Sequence, residues 1–220
     1  GNLTKRLRDN LGLSPEAALW CVETWTYALE LAPKPPIIKP TKANNISKKP
    51  TSNSAEHKTI PTFAVSMSEK GSFKSITEAL EHAPPHSRII IYPGRYEETI
   101  TIDKPIEIVG QGSPREIVVI SKNGPCIRME TKTALVCGLT LRGIAPKSYT
   151  VEISKGELKL KDCNISSEHF SCIGIFGPSA QPNIFDCRIN KAKEYGLHVA
   201  LQAQGIIEEC EIYGNRLSGV

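Results

Sequence analysis

Apolar segments recur at nearly constant spacing through the C-terminal half of the chain, and this repeat limits the possible folds more than any other feature. The segments are centred on five aliphatic residues separated by 24, 22, 24 and 23 positions: Ile127, Val151, Ile173, Leu197 and Val220. Stretches such as Leu158-Lys159-Leu160 alternate apolar and polar residues, which predicts strands. A fixed period of this length indicates a solenoid. A coil of about 23 residues with up to three short strands predicts an all-β solenoid, the right-handed single-stranded parallel β-helix.

A cysteine followed two residues later by Ile or Leu repeats in step with the apolar segments. The four cysteines are Cys137, Cys163, Cys187 and Cys210, spaced 26, 24 and 23 residues apart. Equivalent residues of successive coils stack about 4.8 Å apart, so we expect each cysteine to begin an inward-facing strand in a buried ladder of free thiols. The sequence has no Cys-x-x-Cys pair, which argues against a zinc site. Free thiols and the lack of a recognisable signal segment favour a reducing, cytoplasmic location.

The chain divides into three parts by composition. Residues 1–32 have the periodicity of a helical hairpin, and we expect this hairpin to pack on another domain or chain because two short helices cannot bury two Trp. The stretch from Leu11 to Leu29 resembles a helical segment found between domains of large bacterial multidomain proteins. Residues 33–61 hold six Pro and six Lys and are predicted to be a disordered linker. Residues 62–220 are the predicted β-helix, which we expect to continue beyond residue 220.

The positive charge of the chain is concentrated in the predicted linker. Its six Lys face one acidic residue, Glu56, which gives +5, so the rest of the chain carries −1 of the total of +4. A β-helix this close to neutral is not expected to bind nucleic acid. No run of about 18 apolar residues occurs, so neither a membrane-spanning segment nor a membrane partner is predicted.

An amphipathic helix is predicted directly before the first coil. Its apolar residues follow helical spacing between positions 71 and 83, Ser72 is expected to cap its start, and Pro84-Pro85 ends it. Strands are then predicted at residues 89–91, 99–102, 106–109 and 117–120. A solenoid leaves the core of its first coil open, and we expect the helix to cover it.

Three motifs in this region resemble the N-terminal half of pectin methylesterases: Phe73-Lys-Ser-Ile-Thr-Glu-Ala-Leu, Ile90-Ile-Tyr-Pro-Gly-Arg-Tyr-Glu-Glu and Ile106-Glu-Ile-Val-Gly-Gln-Gly. They are equally similar to pectin-lyase-like β-helices of the carbohydrate-binding and sugar-hydrolase type, including those in F-box proteins. The later Cys-x-Ile units resemble the generic right-handed β-helix repeat. The resemblance covers residues 62–220 and implies the fold rather than one function, since a fold hosts many functions.

The resemblance also implies where an esterase site would lie. Pectin methylesterases use one Asp as nucleophile and a second as acid/base, with a Gln that stabilises the oxyanion and an Arg. Aligned by the Cys and Ile landmarks, the Gln position falls on Tyr149, the acid/base position falls near His169-Phe170, and the nucleophile position falls on Glu194. The catalytic set is therefore incomplete, and we predict no catalytic residue within the chain.

Outward-facing polar residues of the predicted coils are the candidate binding residues: Lys159, Arg188, His198, Glu211 and Tyr213. Arg188 and Glu211 occupy equivalent positions in adjacent coils and are expected to form an exposed ion pair. His198 and Glu152 are expected on one face, two coils and therefore about 10 Å apart, which is too far for direct contact.

Three acidic residues each precede a ladder cysteine: Asp162, Asp186 and Glu209. Stacking would put their carboxylates roughly 5 Å apart, where they could share a proton or bind Ca²⁺, the one cofactor that the sequence suggests. The alternative is a turn position that favours Asp, with the charge facing water.

Two functions remain open. The first is a non-catalytic binding module of a larger multidomain protein, which presents a flat parallel sheet to a polysaccharide or a protein partner. The second is a carbohydrate-active enzyme, either a polysaccharide lyase, a hydrolase or a pectinesterase-like esterase, whose catalytic carboxylates lie beyond Val220. The incomplete catalytic set favours the first.

Overall fold

The computed structural model describes residues 60–68 and 72–220. The helical hairpin predicted for residues 1–32 and nearly all of the linker predicted for residues 33–61 lie outside the described residues, so both remain predictions. The strands of the described residues fall into three parallel sheets.

Each sheet is built from strands that successive coils contribute. The seven-stranded sheet consists of β1 (Thr62–Val65), β2 (Ser87–Ile91), β5 (Ile106–Gly110), β8 (Thr133–Cys137), β11 (Glu157–Lys161), β14 (Asn183–Phe185) and β17 (Ile206–Glu208). The six-stranded sheet consists of β3 (Gly94–Glu97), β6 (Ile117–Ser121), β9 (Thr140–Gly143), β12 (Asn164–Ser167), β15 (Arg188–Asn190) and β18 (Glu211–Tyr213). The five-stranded sheet consists of β4 (Ile100–Ile102), β7 (Ile127–Met129), β10 (Val151–Ile153), β13 (Ile173–Phe176) and β16 (Leu197–Ala200).

The strand register follows the sequence repeat. Val151 pairs with Ile127 on one side and with Ile173 on the other, and Ile173 pairs with Leu197. From β2 onward, consecutive strands in the chain belong to different sheets, so the backbone advances by one strand position in each sheet per coil. Such parallel crossover connections are right-handed. The right-handed parallel β-helix predicted from the repeat is confirmed.

Inward-facing aliphatic side chains fill the coils. In the seven-stranded sheet one unbroken column contains Ile89, Ile108, Val136, Leu160 and Ile184, all fully buried. β-Branched residues suit such a column because their stiff side chains pack well on a pleated surface. Burying each of these side chains contributes about 1.5–3 kcal/mol relative to leaving it exposed, so the columns hold successive coils together.

The thiol ladder contains three cysteines rather than the four that were predicted. The register places Cys163, Cys187 and Cys210 in one column, and the equivalent position of the preceding coil is Leu139. Cys137 ends β8 two residues earlier, pairs with Lys161 and is only half-buried. The interval of 26 residues before Cys163, two longer than the next, is the sequence signal of this offset. The prediction that all four begin inward-facing strands was wrong for Cys137.

Cys163 and Cys187 of the ladder are buried as predicted, whereas Cys210 is only half-buried, and a second pair of thiols lies buried outside the ladder. Cys126 and Cys172 precede strands β7 and β13 and are fully buried. Their Sγ atoms lie 3.6 Å from the carbonyl oxygens of Val119 and Ile165, respectively. All described cysteines are free thiols.

The predicted capping helix is present as α1 (Ile76–His82) and packs on β1, β2 and β4. Its N-cap is Ser75, whose hydroxyl accepts a hydrogen bond from the Glu78 amide at 3.0 Å, so the expectation that Ser72 caps the helix was wrong. Ser75 stands three residues before Glu78, which is the spacing at which an N-cap side chain reaches a free helical amide. No helix in the described part of the chain is long and apolar enough to span a membrane.

A glutamate of the first coil fixes the start of this helix. The Glu98 carboxylate accepts hydrogen bonds from the Ile76 amide, the Thr77 amide and the Thr77 hydroxyl, each at 2.8 Å. The first amides of a helix have no partner within the helix. Glu98 therefore supplies the missing acceptors and ties the helix to the coil that it covers.

Candidate functional site

The binding residues predicted from the sequence lie on three different sheets. Lys159 is on β11 of the seven-stranded sheet, and His198 is on β16 of the five-stranded sheet. Arg188, Glu211 and Tyr213 lie together on β15 and β18 of the six-stranded sheet. The structure thus separates them into two surfaces of interest, one around His198 and one around Arg188, with Lys159 apart from both.

Five rings cluster on the outer side of the five-stranded sheet. They belong to Tyr149, Phe170, Phe176, Tyr195 and His198, and we call this set the aromatic face. The Tyr149 ring packs edge-on against Phe170 and Phe176, with centroid distances of 4.9 and 5.2 Å. The His198 ring lies 5.7 Å from that of Phe176 and 5.6 Å from that of Tyr195. All five residues are half-buried, so each keeps part of its surface open to solvent.

A hydrogen bond joins two members of the aromatic face. The Tyr149 hydroxyl oxygen lies 2.7 Å from His198 Nδ1. Burial raises the pKa of the Tyr149 phenol, and the charges of Glu194 and Glu152 raise it further. The phenol is therefore protonated at neutral pH, and the tautomer of His198 decides whether the phenol or the Nδ1–H group is the donor. The bond fixes the orientation of the two rings relative to each other.

A glycine makes the ring cluster possible. Gly174 pairs with Glu152 on one side and with His198 on the other, so the two outer residues are two coils apart, as the repeat predicts. A Cβ atom at Gly174 would lie 2.6 Å from Phe176 Cε2 and 2.8 Å from Tyr149 Cδ1. The Tyr149 ring therefore reaches His198 across a middle coil that has no side chain at this position.

Polar groups border the aromatic face. Arg128 Nη2 lies 3.2 Å from Glu152 Oε2, and Arg128 Nε is buried without a hydrogen-bond partner. Ser171 Oγ accepts a hydrogen bond from the Tyr195 amide at 3.2 Å and donates to Glu194 Oε2 at 3.4 Å. Carboxylates, a guanidinium and a hydroxyl therefore lie beside the rings, which is the mixture of groups that typifies sites for small polar ligands.

The three positions aligned with an esterase site belong to the same region. Tyr149 and Phe170 are in ring contact, and Glu194 is bonded to Ser171, the residue after Phe170. Acyl transfer on this plan needs a nucleophile, an acid/base and an oxyanion donor. Glu194 is the one carboxylate among the three positions, and the phenylalanine side chain cannot move a proton. The arrangement can bind a ligand but does not supply an acid/base pair.

The acidic residues before the cysteine column occupy a left-handed turn. Asp162, Asp186 and Glu209 have φ angles of 47°, 52° and 51°, and Gly138 at the equivalent position has 73°. Asp is one of the few residues with a side chain that enters this region readily. All three acidic residues are exposed. Within residues 60–68 and 72–220, no three His, Cys, Asp or Glu side chains come close enough together to hold a metal ion.

The second surface is a polar cavity of about 260 Å³ on the outer side of the six-stranded sheet. Arg188, Tyr213, Asn164 and Asn190 contribute to its lining, and the buried Asn190 amide donates to Asn164 Oδ1 at 2.9 Å. The predicted ion pair is present, with Arg188 Nε 3.1 Å from Glu211 Oε2. Both side chains are exposed, so the pair contributes at most about 1 kcal/mol.

Sequence reasoning singled out His198 and Arg188 but missed most of their surroundings. Tyr149 and Phe170 were noted only as misfits to an esterase pattern. Phe176 gave no signal beyond its place at the end of a repeat. Arg115, which lines the polar cavity, comes from a 3-10 turn at Pro114–Glu116, far from Arg188 in the chain.

No family model matches the chain. A stretch of 108 residues is 31% identical to F-box only protein 10 of Mus musculus and 30% identical to F-box only protein 10 of Homo sapiens. The stretch makes up 48% of this chain but 11% of either relative, so the chain spans a small part of their length.

Among solved structures, pectin methylesterase PemA from Erwinia chrysanthemi matches over 60% of this chain and 49% of its own, with a TM-score of 0.47 and 19% identity. A mutant pectin methylesterase in complex with a hexasaccharide matches over 67% of this chain and 66% of its own, with a TM-score of 0.46 and 16% identity. With three parallel sheets wound around one aliphatic core behind a capping helix, the chain is a right-handed parallel β-helix.

Proposed function

We propose that this β-helix is a non-catalytic binding module whose aromatic face binds a polysaccharide. The observation that supports this most directly is the cluster of five half-buried rings on the outer side of the five-stranded sheet. Inward-facing aliphatic columns already hold the coils together, so the solenoid does not need these rings for its core. Partly open aromatic rings pack well against the C–H faces of sugar rings, and binding sites are commonly lined by aromatic side chains.

The border of the aromatic face suits a ligand rich in hydroxyl groups. Glu194 and Glu152 can accept hydrogen bonds, Arg128 can donate them, and His198 Nε2, which is not used in the bond to Tyr149, can form one. The few polar groups are fixed by contacts with one another, which limits the entropy lost on binding. A polymer of sugars can lie along the sheet, because the same face continues over several coils.

The same geometry favours binding over turnover. Phe170 occupies the position where an esterase of this fold would need a proton donor, and it packs against Tyr149 at 4.9 Å. Tyr149 is itself engaged by His198. A positioned acid/base contributes about 10²- to 10⁴-fold to a rate, so a site without one is poorly suited to ester hydrolysis.

Binding to methyl-esterified polygalacturonate tests the proposal, and the resemblance of residues 62–220 to pectin methylesterases selects this probe. In affinity electrophoresis the 220-residue chain should be retarded by the polymer. Tyr149→Ala and Phe176→Ala should each weaken binding about tenfold, because an aromatic contact contributes about 0.5–1.5 kcal/mol beyond its buried area. Tyr213→Ala is the matched control, since Tyr213 lies on the six-stranded sheet, and it should change the affinity less than about twofold.

Two outcomes would contradict the proposal. An equal loss of affinity in Tyr213→Ala and Tyr149→Ala would move the binding site away from the aromatic face. If neither this polymer nor a panel of neutral polysaccharides retards the folded protein, a polysaccharide ligand is excluded for this face and a protein partner becomes the better candidate.

A further inference from the structure

Two arginines of the described residues form no ion pair. The other five described arginines each pair with a Glu carboxylate: Arg88, Arg95, Arg128, Arg142 and Arg188. Arg115 and Arg216 have no such partner in that part of the chain, and both are exposed. The exposed Lys191 and Lys193 are also without an ion pair there. These four cations lie in the same region of the surface.

The four cations line two adjoining cavities beside the six-stranded sheet. The first cavity, of about 260 Å³, is bordered by Arg115 and Lys191. The second, of about 650 Å³, is bordered by Lys191, Lys193 and Arg216. Lys191 borders both cavities, so they lie side by side, and we call the two together the basic groove.

Hydrogen bonds hold the walls of the basic groove in place. Thr140 Oγ1 donates to the Pro114 carbonyl at 2.8 Å and so fixes the 3-10 turn that contains Arg115. At the other end, the Arg216 amide donates to the Ala192 carbonyl at 3.0 Å. The backbones of Arg216 and Lys193 are therefore neighbours on adjacent coils. Two exposed cationic side chains start from this point, and an anionic ligand could contact both.

Carboxylates offset little of this positive charge. Glu168 borders the second cavity but pairs with Arg142, and Glu211 pairs with Arg188. Asp162 is the one unpaired carboxylate among the residues that line the two described cavities. The basic groove therefore has a clear excess of positive charge, although the chain outside the Lys-rich stretch 33–61 is close to neutral.

The floor of the first cavity offers groups that recognise hydroxyls. Asn190 donates one amide hydrogen to Asn164 Oδ1, and both side chains line the cavity. Tyr213 lies beside them and is half exposed, which leaves a ring face and a phenol for a ligand. Amides next to a ring and several cations suit a sugar that also bears anionic groups.

We infer that the basic groove binds a sulfated polysaccharide, at a site separate from the aromatic face. Four unpaired cations within a few coils suit a ligand that carries several anionic groups. A sulfated sugar can carry more than one such group, whereas a uronic acid carries one. A nucleic acid is less well matched, because sequence-independent binding of single strands uses a series of stacking rings and the two cavities are lined by only Tyr213 and His169.

Fluorescence anisotropy with labelled dextran sulfate tests this inference on the 220-residue chain. Lys191→Gln combined with Lys193→Gln should weaken binding about fivefold or more, because two of the cations that neutralise the polymer are lost. The affinity should fall as salt is raised, and less steeply for this variant than for the wild type. Unsulfated dextran should not bind at the groove, and polygalacturonate should bind more weakly than dextran sulfate.

A charge-matched control distinguishes binding at the basic groove from non-specific electrostatic attraction between the polymer and the protein. Lys132→Gln combined with Lys155→Gln removes the same charge from two exposed lysines that line a different cavity. This control keeps the Lys-rich stretch 33–61, as the groove variant does, and should stay within about twofold of the wild type. Equal losses in the two variants would overturn the inference. Polygalacturonate or single-stranded DNA binding as tightly as dextran sulfate, with the same loss in the groove variant, would also overturn it.

Discussion

At the residue scale, backbone conformation accounts for the acidic residue that recurs before the cysteines of the column. The position before Leu139 and before each of the three cysteines in its column is left-handed, and Gly138, Asp162, Asp186 and Glu209 stand there in four successive coils. Glycine enters this conformation freely, and Asp does so more readily than most residues. The acidic residues recur there because the chain must turn, whether or not an ion also binds.

Two substitutions at Asp186 test whether backbone conformation governs this position. Asp186→Gly should leave the free energy of unfolding unchanged or raise it by up to about 1 kcal/mol, because glycine has no Cβ to strain the turn. Asp186→Val should lower it by about 1–2 kcal/mol, because a β-branched residue is an outlier in this region. Urea denaturation measures both. Equal losses would show that the carboxylate itself holds the turn, and repeating the experiment with Ca²⁺ and with a chelator would show whether an ion takes part.

The buried thiols give a pH dependence whose direction can be worked out. Burial raises the pKa of Cys126 and of Cys172 from an ordinary value of 9.0 to about 12. Above about pH 9 the unfolded chain loses these protons while the folded chain keeps them, so the free energy of unfolding falls as pH rises toward about 12. The contribution of the buried thiols is fully present below about pH 9.

Replacing both thiols should reduce the rate at which the free energy of unfolding falls with rising pH. In urea denaturation between about pH 8 and pH 10.5, the wild type should lose stability more steeply above pH 9 than Cys126→Ala/Cys172→Ala. The slopes should differ by up to about 1.4 kcal/mol per pH unit for each thiol. The variant is expected to be less stable at every pH because of the cavities it creates, so the slope is the informative quantity. Parallel curves would mean that these thiols ionise in the folded protein.

At the element scale, the capping helix depends on a side chain outside it. The helix α1 has seven residues, too few to be stable alone. The Glu98 carboxylate accepts three hydrogen bonds from the N-terminal end of the helix. The negative charge of Glu98 also suits the positive end of the helix dipole. The cover over the first coil is therefore an extension of that coil rather than an independent element.

Removing the Glu98 carboxylate should release the helix. Glu98→Ala should lower the free energy of unfolding by about 2–3 kcal/mol, because three donors lose a charged acceptor, and Glu98→Gln should retain part of that stability. Hydrogen exchange of residues 76–82 should speed up in Glu98→Ala. The neighbouring exposed residue supplies the control, since Glu97→Ala should leave exchange in the helix unchanged. If exchange in the helix stays slow in Glu98→Ala, packing on β1, β2 and β4 is sufficient to hold α1.

Element by element, the sequence predicts strands best where aliphatic residues are dense. Strand β2 contains Ile89-Ile90-Ile91, strand β5 alternates Ile106 and Ile108 with other residues, and both were predicted. Strand β3 was missed because Gly94-Arg-Tyr-Glu has no aliphatic residue, although Tyr96 points inward and donates from its hydroxyl to the Tyr92 carbonyl at 2.8 Å.

The aromatic face was missed for another reason. The repeat places Glu152, Gly174 and His198 in one column, but no pattern shows that Tyr149 crosses over the glycine.

At the scale of the whole molecule, the core and the two proposed binding surfaces are separate. Aliphatic columns specify the solenoid from inside, and the aromatic face and the basic groove lie outside them. Outer residues can therefore change without loss of the fold. This separation explains why a resemblance to pectin methylesterases in residues 62–220 predicts the architecture of this chain better than its activity.

The chain should not hydrolyse pectin methyl esters. Incubation with methyl-esterified polygalacturonate should release no more methanol than a heat-denatured control does, because Phe170 stands where an acid/base is required and such a group contributes about 10²- to 10⁴-fold. Turnover well above the control, and abolished by Glu194→Ala, would show that Glu194 acts as a nucleophile. The chain would then be better described as a carbohydrate-active enzyme than as a non-catalytic binding module.

The hydrogen bond between Tyr149 and His198 also affects how cooperatively the solenoid unfolds. The stability of a solenoid is approximately the sum of each coil and its interface with the next, so that coils at the ends can open on their own. A bond that crosses a coil adds an interaction between next-nearest neighbours. Strands β10, β13 and β16 should therefore melt as one block. Tyr149→Phe, which deletes the bond and keeps the ring, should lower the m-value of urea unfolding as well as its midpoint.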